Sequence, residues 1–301
     1  MVKLKQKAKD ILFLNSPLAN FISFSKLGNL SRFGNQLFQY AAIKSYSVKN
    51  NIPIILPPAE EHRLSELNIN FLSQPISLIK FATDYNYSET QYNYDPIFYN
   101  YYKRIDVEGY FQSEKYFIDI KQEIQKDYTI RNKNIISESN KIVAEIKNQF
   151  SGKELISVHI RRGDYVPSKG AYGDKYIGSY SPKTAKKHPL MTSEYFSAAI
   201  NMFTNGVFLF FSDTEEDIEW CKNHFTNKQN IFMHYSDLQD FYIMQLCDHN
   251  IISNSSFSWW AAWLNNNIQK RIISPKVKNW FGPYYAHYNM NDLIPDSWQQ
   301  I

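Results

Sequence analysis

Leu155-Ile156-Ser157-Val158-His159-Ile160-Arg161-Arg162-Gly163-Asp164-Tyr165 is the stretch on which the fold turns. It begins as an apolar run, Leu155 to Ile160, and stops at two arginines, a glycine and an aspartate. A short apolar run bounded by turn residues reads as a buried strand. Such a strand delivers fixed positive charge to one spot at its tip. Arginine presents a planar fork of donors that matches phosphate oxygens, and Gly163 lets the backbone turn closely around a ligand. The segment therefore reads as a strand-end anion site, suited to the diphosphate of an activated substrate. Taken alone, it is equally an ion pair of Arg162 with Asp164 at an ordinary turn.

Working downstream, strand and helix patterns alternate. Thr192–Asn205 carries helical spacing through Tyr195, Phe196, Ala199, Ile200 and Phe203. Val207–Phe211 is a continuous apolar run, as expected of a strand covered on both faces. Thr214–Phe225 is acidic first and basic later, the polarity that a helix dipole favours. Ile231–His234 reads as a short strand, and Ser236 with Gln239 forms a capping box for a helix through Cys247. Asn250–Ile252, Phe257–Asn265 and Arg271–Ser274 continue as strand, helix and strand. This alternation implies a parallel sheet with helices on both faces. His159-Arg161-Arg162, Ser212-Asp213-Thr214 and Ser253-Asn254-Ser255-Ser256 each follow a predicted strand. Ligands of open α/β sheets bind outside the carboxyl ends of the strands, so all three clusters are expected at one crevice. That convergence raises the arginines above an incidental ion pair.

Upstream the pattern is similar but less regular. Phe21–Phe24 reads as a strand, followed by a loop with Gly28 and Gly34 and a helix from about Asn35 to Lys49 with Leu37, Phe38, Ala41 and Ala42 as its buried stripe. Ile52–Leu56 is a further strand, and Ile105–Phe111 with a helix after Ser113 forms a later unit. The polar helical segment Arg131 to Lys153 reads as an inter-domain connection. The expected architecture is α/β and GT-B-like: two Rossmann-like, doubly wound domains facing a cleft, divided as residues 1–150 and 151–301.

Composition narrows the function. The chain has 301 residues, 44% hydrophobic and 21% charged, in the globular range. A net charge of +4 suits an anionic ligand or membrane surface and is too weak for a nucleic-acid partner. The 2 cysteines, Cys221 and Cys247, sit in apolar helical patterns without metal-ligand spacing, which points to buried thiols in a reducing compartment. No run approaches membrane-span length. The start is basic, with Lys3, Lys5, Lys7 and Lys9, and does not read as a signal peptide. It is either a solvated end or a peripheral contact with the inner membrane face, so the expected location is cytoplasmic.

Five ordered blocks carry a resemblance. They are Gly34-Asn35-Gln36-Leu37-Phe38-Gln39-Tyr40-Ala41, Gly109-Tyr110-Phe111-Gln112-Ser113-Glu114-Lys115-Tyr116-Phe117, His159 through Tyr165, Phe211-Ser212-Asp213, and Ser253-Asn254-Ser255-Ser256-Phe257-Ser258-Trp259-Trp260. Together they resemble the α-1,2-fucosyltransferases of glycosyltransferase family 11. The resemblance implies inverting transfer of L-fucose from GDP-fucose to the 2-hydroxyl of a galactoside, as in lipopolysaccharide or O-antigen biosynthesis. It implies that Arg161 holds the β-phosphate, with Arg162 beside it, and that His159 and Asp213 read guanine and ribose. Asn254, Ser255 and Ser256 fall where hydroxyl and amide donors meet the diphosphate at a helix N-terminus. Asn35 and Gln36 offer amides to the donor from the opposite wall, or else form a plain helix cap. On this reading the N-terminal domain is mainly acceptor-side and the C-terminal domain binds the GDP-sugar. The implied acceptor is a galactose-terminated oligosaccharide or lipid-linked glycan. Ser31-Arg32-Phe33-Gly34 stands where the family usually shows Gly-Gly-Leu-Gly.

No Asp-x-Asp, His-Glu-x-x-His or Cys/His cluster occurs in the chain. The expectation is therefore that no metal or cofactor is required and that Arg161 neutralises the departing GDP. The acceptor hydroxyl also needs a carboxylate near the proton it loses. Asp164 and Glu114 are the candidates. Asp164 equally suits the orienting of Arg162, and Glu114 equally suits an acidic first helical turn. Trp259, Trp260 and Trp263 read as packing beneath the donor site. Val166 to Leu190, without periodicity, reads as an acceptor loop or an insertion.

Overall fold

The computed structural model describes residues 12–29, 31–100, 102–165, 187–227 and 229–301, except for the side chain of Asp164. The basic residues Lys3 to Lys9 and most of the Val166 to Leu190 segment lie outside the described residues. The chain divides into two compact units. The first is residues 1–131 with 289–293, and the second is residues 132–288 with 294–301.

The first unit is built on a five-stranded, wholly parallel sheet of β1 (Phe21–Ser23), β2 (Ile54–Leu56), β3 (Leu72–Ser73), β4 (Tyr85–Ser88) and β5 (Arg104–Glu108), in the order β3-β2-β1-β5-β4. Its helices are α1 (Phe33–Asn50), α2 (Ile76–Ala82) and α3 (Lys121–Asp127). Helix α1 follows β1 and buries Leu37, Phe38, Ala41 and Ala42, the stripe that the sequence marks. The strand order reverses beside β1, between β1 and β5. There the Asp106 carboxylate accepts from Ser23 Oγ (2.6 Å), Ser25 N (2.8 Å) and Ser25 Oγ (2.6 Å). A buried carboxylate is tolerable when its lone pairs are filled in this way, and this one fixes the chain as it leaves β1. The helix expected after Ser113 forms as two short 3₁₀ turns, Glu114–Tyr116 and Ile118–Ile120, before α3 begins.

The second unit starts with α4 (Lys133–Gln149), in the segment that the sequence suggests as a connection. Val143 and Ile146 of α4 are buried against this unit, so the contact boundary falls before α4. The strands are β6 (Glu154–Ile160), β7 (Gly206–Ser212), β8 (Asn230–Phe232), β9 (His249–Ile251), β10 (Ile272–Ser274) and β11 (Gln299–Gln300). The helices between them are α5 (Ser193–Ile200), α6 (Glu215–His224), α7 (Asp237–Leu246) and α8 (Ser256–Leu264). All six strands are parallel, in the order β11-β10-β9-β6-β7-β8. Counted within the unit this is the 3-2-1-4-5-6 order of dinucleotide-binding folds, with its switch point between β6 and β9.

Local chemistry sets the helix starts. Thr214 accepts from Asp217 N, and Ser236 from Gln239 N (3.4 Å), as the capping box predicts. Helix α8 is apolar nearly all round and almost wholly buried, including Trp259, Trp260 and Trp263, as a helix enclosed by protein must be. Lys270 Nζ donates to the carbonyls of Ala262, Trp263 and Asn265 at 2.9, 3.1 and 2.6 Å, placing a cation on the negative end of the helix dipole. Between the two central strands, Asn250 of β9 donates to Ser157 Oγ (2.7 Å) on β6 and to Met244 O (2.8 Å), and accepts from Asn265 (2.8 Å). This satisfied polar network fixes β9 against β6. Among the described residues no helix is long and apolar enough to cross a membrane.

Candidate functional site

The carboxyl tip of β6 lies between the loops that follow β7 and β9. Register brings them together: Ile160 pairs with Ser212, and Val158 with Ile251. Ser212 Oγ donates to Ile160 O at 2.7 Å and ties the first two tips. From the tip, two side chains diverge. His159 Nδ1 lies 3.2 Å from Ser253 Oγ in the loop after β9, with its ring beside Phe257 of α8. Arg161 donates through Nη1 to Asp213 Oδ1 after β7, and its guanidinium lies over the Tyr165 ring, 5.2 Å from the centroid.

Electrostatics separates their roles. His159 is buried, and burial with the Arg161 charge pushes its pKa down to about 3. It is therefore a neutral imidazole, a hydrogen-bonding group rather than a cation. Arg161 carries the fixed charge, with its side chain only 9% exposed. Gly163 has φ +27°, and a Cβ there would lie 2.9 Å from Asp213 Oδ2. Only glycine lets the turn close against the partner of Arg161.

Arg162 points elsewhere. Its Nε lies 3.4 Å from Asp217 Oδ1, and its guanidinium covers the Trp220 ring at 4.0 Å, both on α6. Asp217 also accepts from Gly163 N and Thr214 Oγ1, each at 3.0 Å. Arg162 thus has a partner in Asp217, and the pair holds the turn that presents Arg161. The Asp164 side chain lies outside the described residues.

The loop after β9 leads into α8. The Ser255 side chain makes no capping hydrogen bond there, so the α8 N-terminus is not closed by its own cap, and such termini attract anions. Ser256, half-buried, is the first residue of the helix. Asn254 is buried, and both of its donor bonds are taken by backbone, Pro189 O at 2.8 Å and Trp280 O at 3.1 Å. The group it has left for a ligand is Oδ1, an acceptor without a hydrogen-bond partner. It anchors the 189 and 280 segments rather than offering amide donors to a phosphate.

The remaining candidates lie in the first unit. Gln36 is buried and committed at both ends, donating to Ser31 O (2.9 Å) and accepting from Arg63 N (2.8 Å). Half-buried Asn35 accepts from Gln112 Nε2 at 2.8 Å. Glu114 is half-buried and opens the 3₁₀ turn capped by Ser113. The structure thus gathers His159, Arg161, Asp213, Ser255 and Ser256 with Ser253 around the carboxyl ends of β6, β7 and β9 in the second unit, and Asn35, Gln36 and Glu114 with Gln112 in the first. Ser253 was legible as the residue directly after a predicted strand. Asp217, Glu89 and Asp240 carried no motif of their own. Burial lifts both Glu89 and Asp240 to about 7. Among the described residues no three His, Cys, Asp or Glu side chains form a group that could hold a metal.

Comparison with known proteins identifies the family. The family model described as Glycosyl transferase family 11 matches residues 22–281. The chain is similar to an α-1,2-colitosyltransferase of Escherichia coli, 29% identical over 89% of this chain and 95% of that protein. The O-antigen biosynthesis glycosyltransferase WbnK of Escherichia coli is 34% identical over 47% of this chain and 43% of its own length. Human galactoside alpha-(1,2)-fucosyltransferase 1 is 23% identical over 77% of this chain and 63% of its own. Among solved structures, the NodZ α-1,6-fucosyltransferase soaked with GDP-fucose superposes with a TM-score of 0.51 at 14% identity, covering 86% of this chain and 96% of that one. The α/β fold with parallel sheets is thus that of GT-B fucosyltransferases.

Proposed function

Since the chain belongs to glycosyl transferase family 11, we propose that it is an inverting α-1,2-fucosyltransferase that moves L-fucose from GDP-fucose to the 2-hydroxyl of a galactoside in a surface glycan. The observation that carries this reading is the Arg161 guanidinium at the β6 tip, at the carboxyl end of a sheet whose switch point lies between β6 and β9. A site for a nucleoside diphosphate needs fixed positive charge at the carboxyl ends of the strands, which Arg161 supplies, and the α8 N-terminus after β9 is the proposed source of backbone donors.

In the reaction the acceptor oxygen attacks the anomeric carbon as the bond to the β-phosphate oxygen breaks. GDP leaves with the electron pair, and the acceptor proton passes to a base. Arg161 stabilises the charge that grows on the departing phosphate, an interaction stronger in the transition state than in the ground state. The hydroxyls of Ser255 and Ser256 and the α8 N-terminus support the diphosphate. Neutral His159 and the Asp213 carboxylate serve the nucleoside by hydrogen bonding. Arg162 acts through Asp217, by holding the Gly163 turn. No metal is required, because the guanidinium supplies the positive charge. The first unit takes the galactose-terminated or lipid-linked acceptor, with Glu114 at that site, while Asn35 offers its amide to the donor and Gln36, committed at both ends, holds the start of α1. Asp164 and Glu114 are the carboxylates proposed for the proton. A lipid-linked acceptor would bring the enzyme to the cytoplasmic face of the inner membrane.

A second donor is favoured by one observation, the similarity to a colitosyltransferase over most of both chains. Colitose is fucose without its 3-hydroxyl. A site that hydrogen-bonds that hydroxyl rejects the deoxy sugar by as much as ~10⁴-fold, whereas a site without such a partner does not. The test incubates the protein with β-galactosides and either GDP-fucose or GDP-colitose, with and without chelator, followed by linkage analysis. A 2-linked fucosyl galactoside formed in chelator is expected. Transfer only from another donor, another linkage, or dependence on added metal would overturn the proposal.

A further inference from the structure

Glu89 follows β4 and lies against the end of β5, its own N–H donating to Glu108 O at 2.8 Å. Its carboxylate closes on the next turn. Oε2 accepts from Tyr110 N at 2.6 Å and Phe111 N at 3.1 Å, and Oε1 accepts from Phe111 N at 3.1 Å. Phe111 is fully buried with φ +54°. A bulky residue in the left-handed region is strained and persists only where its surroundings over-determine it. Gly109 has φ +156°, and a Cβ there would lie 2.5 Å from Glu89 Cβ and 2.8 Å from Oε2, so the glycine admits the carboxylate.

The same turn reaches the candidate site residues of the first unit. Gly109 O accepts from Gln39 Nε2 at 3.0 Å, on α1. Gln112 donates to Asn35 at 2.8 Å, and Ser113 caps the 3₁₀ turn that Glu114 opens. One carboxylate thereby sets the turn that carries Gln112 to Asn35 and leads into the 3₁₀ turn of Glu114. We propose that Glu89 is a positioning residue for acceptor binding, which it governs by locking the Gly109–Gln112 turn through two backbone amides. The role in acceptor binding rests on the acceptor-side reading given above, and the locked turn does not.

Glu89→Ala and Glu89→Gln in the full chain test both parts. Glutamine keeps an oxygen that can accept from both amides, so it should rescue what alanine loses. Hydrogen–deuterium exchange over residues 109–112 is expected to accelerate in Glu89→Ala and to stay near wild type in Glu89→Gln. In steady-state transfer, Glu89→Ala should raise the KM for the galactoside roughly tenfold, leaving the KM for GDP-fucose within about twofold, with Glu89→Gln close to wild type. Unchanged exchange over 109–112 in Glu89→Ala, or equal losses for donor and acceptor, would overturn the proposal. If the wild type transfers nothing to any galactoside, the functional reading fails, and the exchange measurement alone decides the lock. Should Glu89→Ala not fold, faster exchange over 109–112 in Glu89→Asp, whose carboxylate is drawn back by one methylene, supports the lock, and wild-type exchange in it overturns the lock.

Discussion

Replacement of Arg161 by alanine should nearly abolish transfer while the protein stays folded, and the structure sets both magnitudes. The side chain of Arg161 is 9% exposed and that of its partner Asp213 is 22% exposed. Breaking a fully buried ion pair costs about 3–5 kcal/mol because the remaining charge is stranded. An exposed pair is worth about 0–1 kcal/mol. Asp213 stays within reach of water, so the loss of stability should be intermediate, about 1–2 kcal/mol. The catalytic loss is larger. Removing a donor aimed at developing transition-state charge typically lowers the rate by ~10²–10³, about 2.7–4 kcal/mol. Turnover at saturating GDP-fucose, a thermal melt and calorimetry with GDP separate the two effects. Arg161→Lys, which keeps the charge and loses the planar fork, should fall between alanine and wild type. A folded Arg161→Ala enzyme turning over within about threefold of wild type would refute the assigned role.

Gly163→Ala should displace Asp213 and strain the turn, lowering stability by ~1–3 kcal/mol together with GDP affinity. Wild-type affinity in a folded variant would show that the turn does not shape the site. Burial holds Glu89 at about 7 against an ordinary 4.5 and Asp240 at about 7 against 3.8, with Asp95 adding to the shift at Glu89. The folded state then binds protons more tightly than the unfolded chain, so the stability these groups confer is fullest below about pH 4 and is lost as pH rises to 7. In urea unfolding, the stability of wild type relative to Glu89→Gln should fall between pH 4.5 and 7. A constant difference would contradict the burial of that carboxyl. His159 has the opposite sign. Its pKa is pushed from 6.5 to about 3, so its contribution is present above pH 6.5 and lost as pH falls toward 3. Because it stays neutral in the working range, GDP affinity in wild type and His159→Gln should share one pH dependence from 5.5 to 7.5. A limb near 6.5 present only in wild type would contradict a neutral imidazole.

Much of the second unit was legible because its signals are local. Buried parallel strands are continuous apolar runs, and β6 and β7 end where Arg161 and Asp213 begin. Thr214 and Ser236 announce their helices by capping chemistry that needs only three residues. Strands β3, β4 and β11 gave no such signal. They are edge strands, short and mostly exposed, paired only because the rest of the sheet is already in place. The passage of residues 289–293 back into the first unit was likewise invisible, being a matter of tertiary contact.

Within the site, residue types were readable and their partners were not. Arg161 and Asp213 stand 52 positions apart and meet through β6–β7 register. The sequence offers Asp164 as the neighbour of Arg162 but gives no sign of Asp217, which the fold brings to Arg162 from the first turn of α6. Asn254 looked like a donor to phosphate until its amide proved to hold the Pro189 and Trp280 carbonyls. Glu89 carries no signal in the sequence, because a glutamate after a short strand resembles surface sequence. The sequence did show Gly109, but only the backbone shows that this glycine makes room for a carboxylate.

A structure of the protein with GDP bound decides whether Arg161 meets the leaving group. The diphosphate should lie at the carboxyl ends of the six-stranded sheet, with a β-phosphate oxygen hydrogen-bonded to Arg161 and the phosphates facing the first turn of α8. Phosphates bound elsewhere, with the Arg161 guanidinium unengaged, would contradict it.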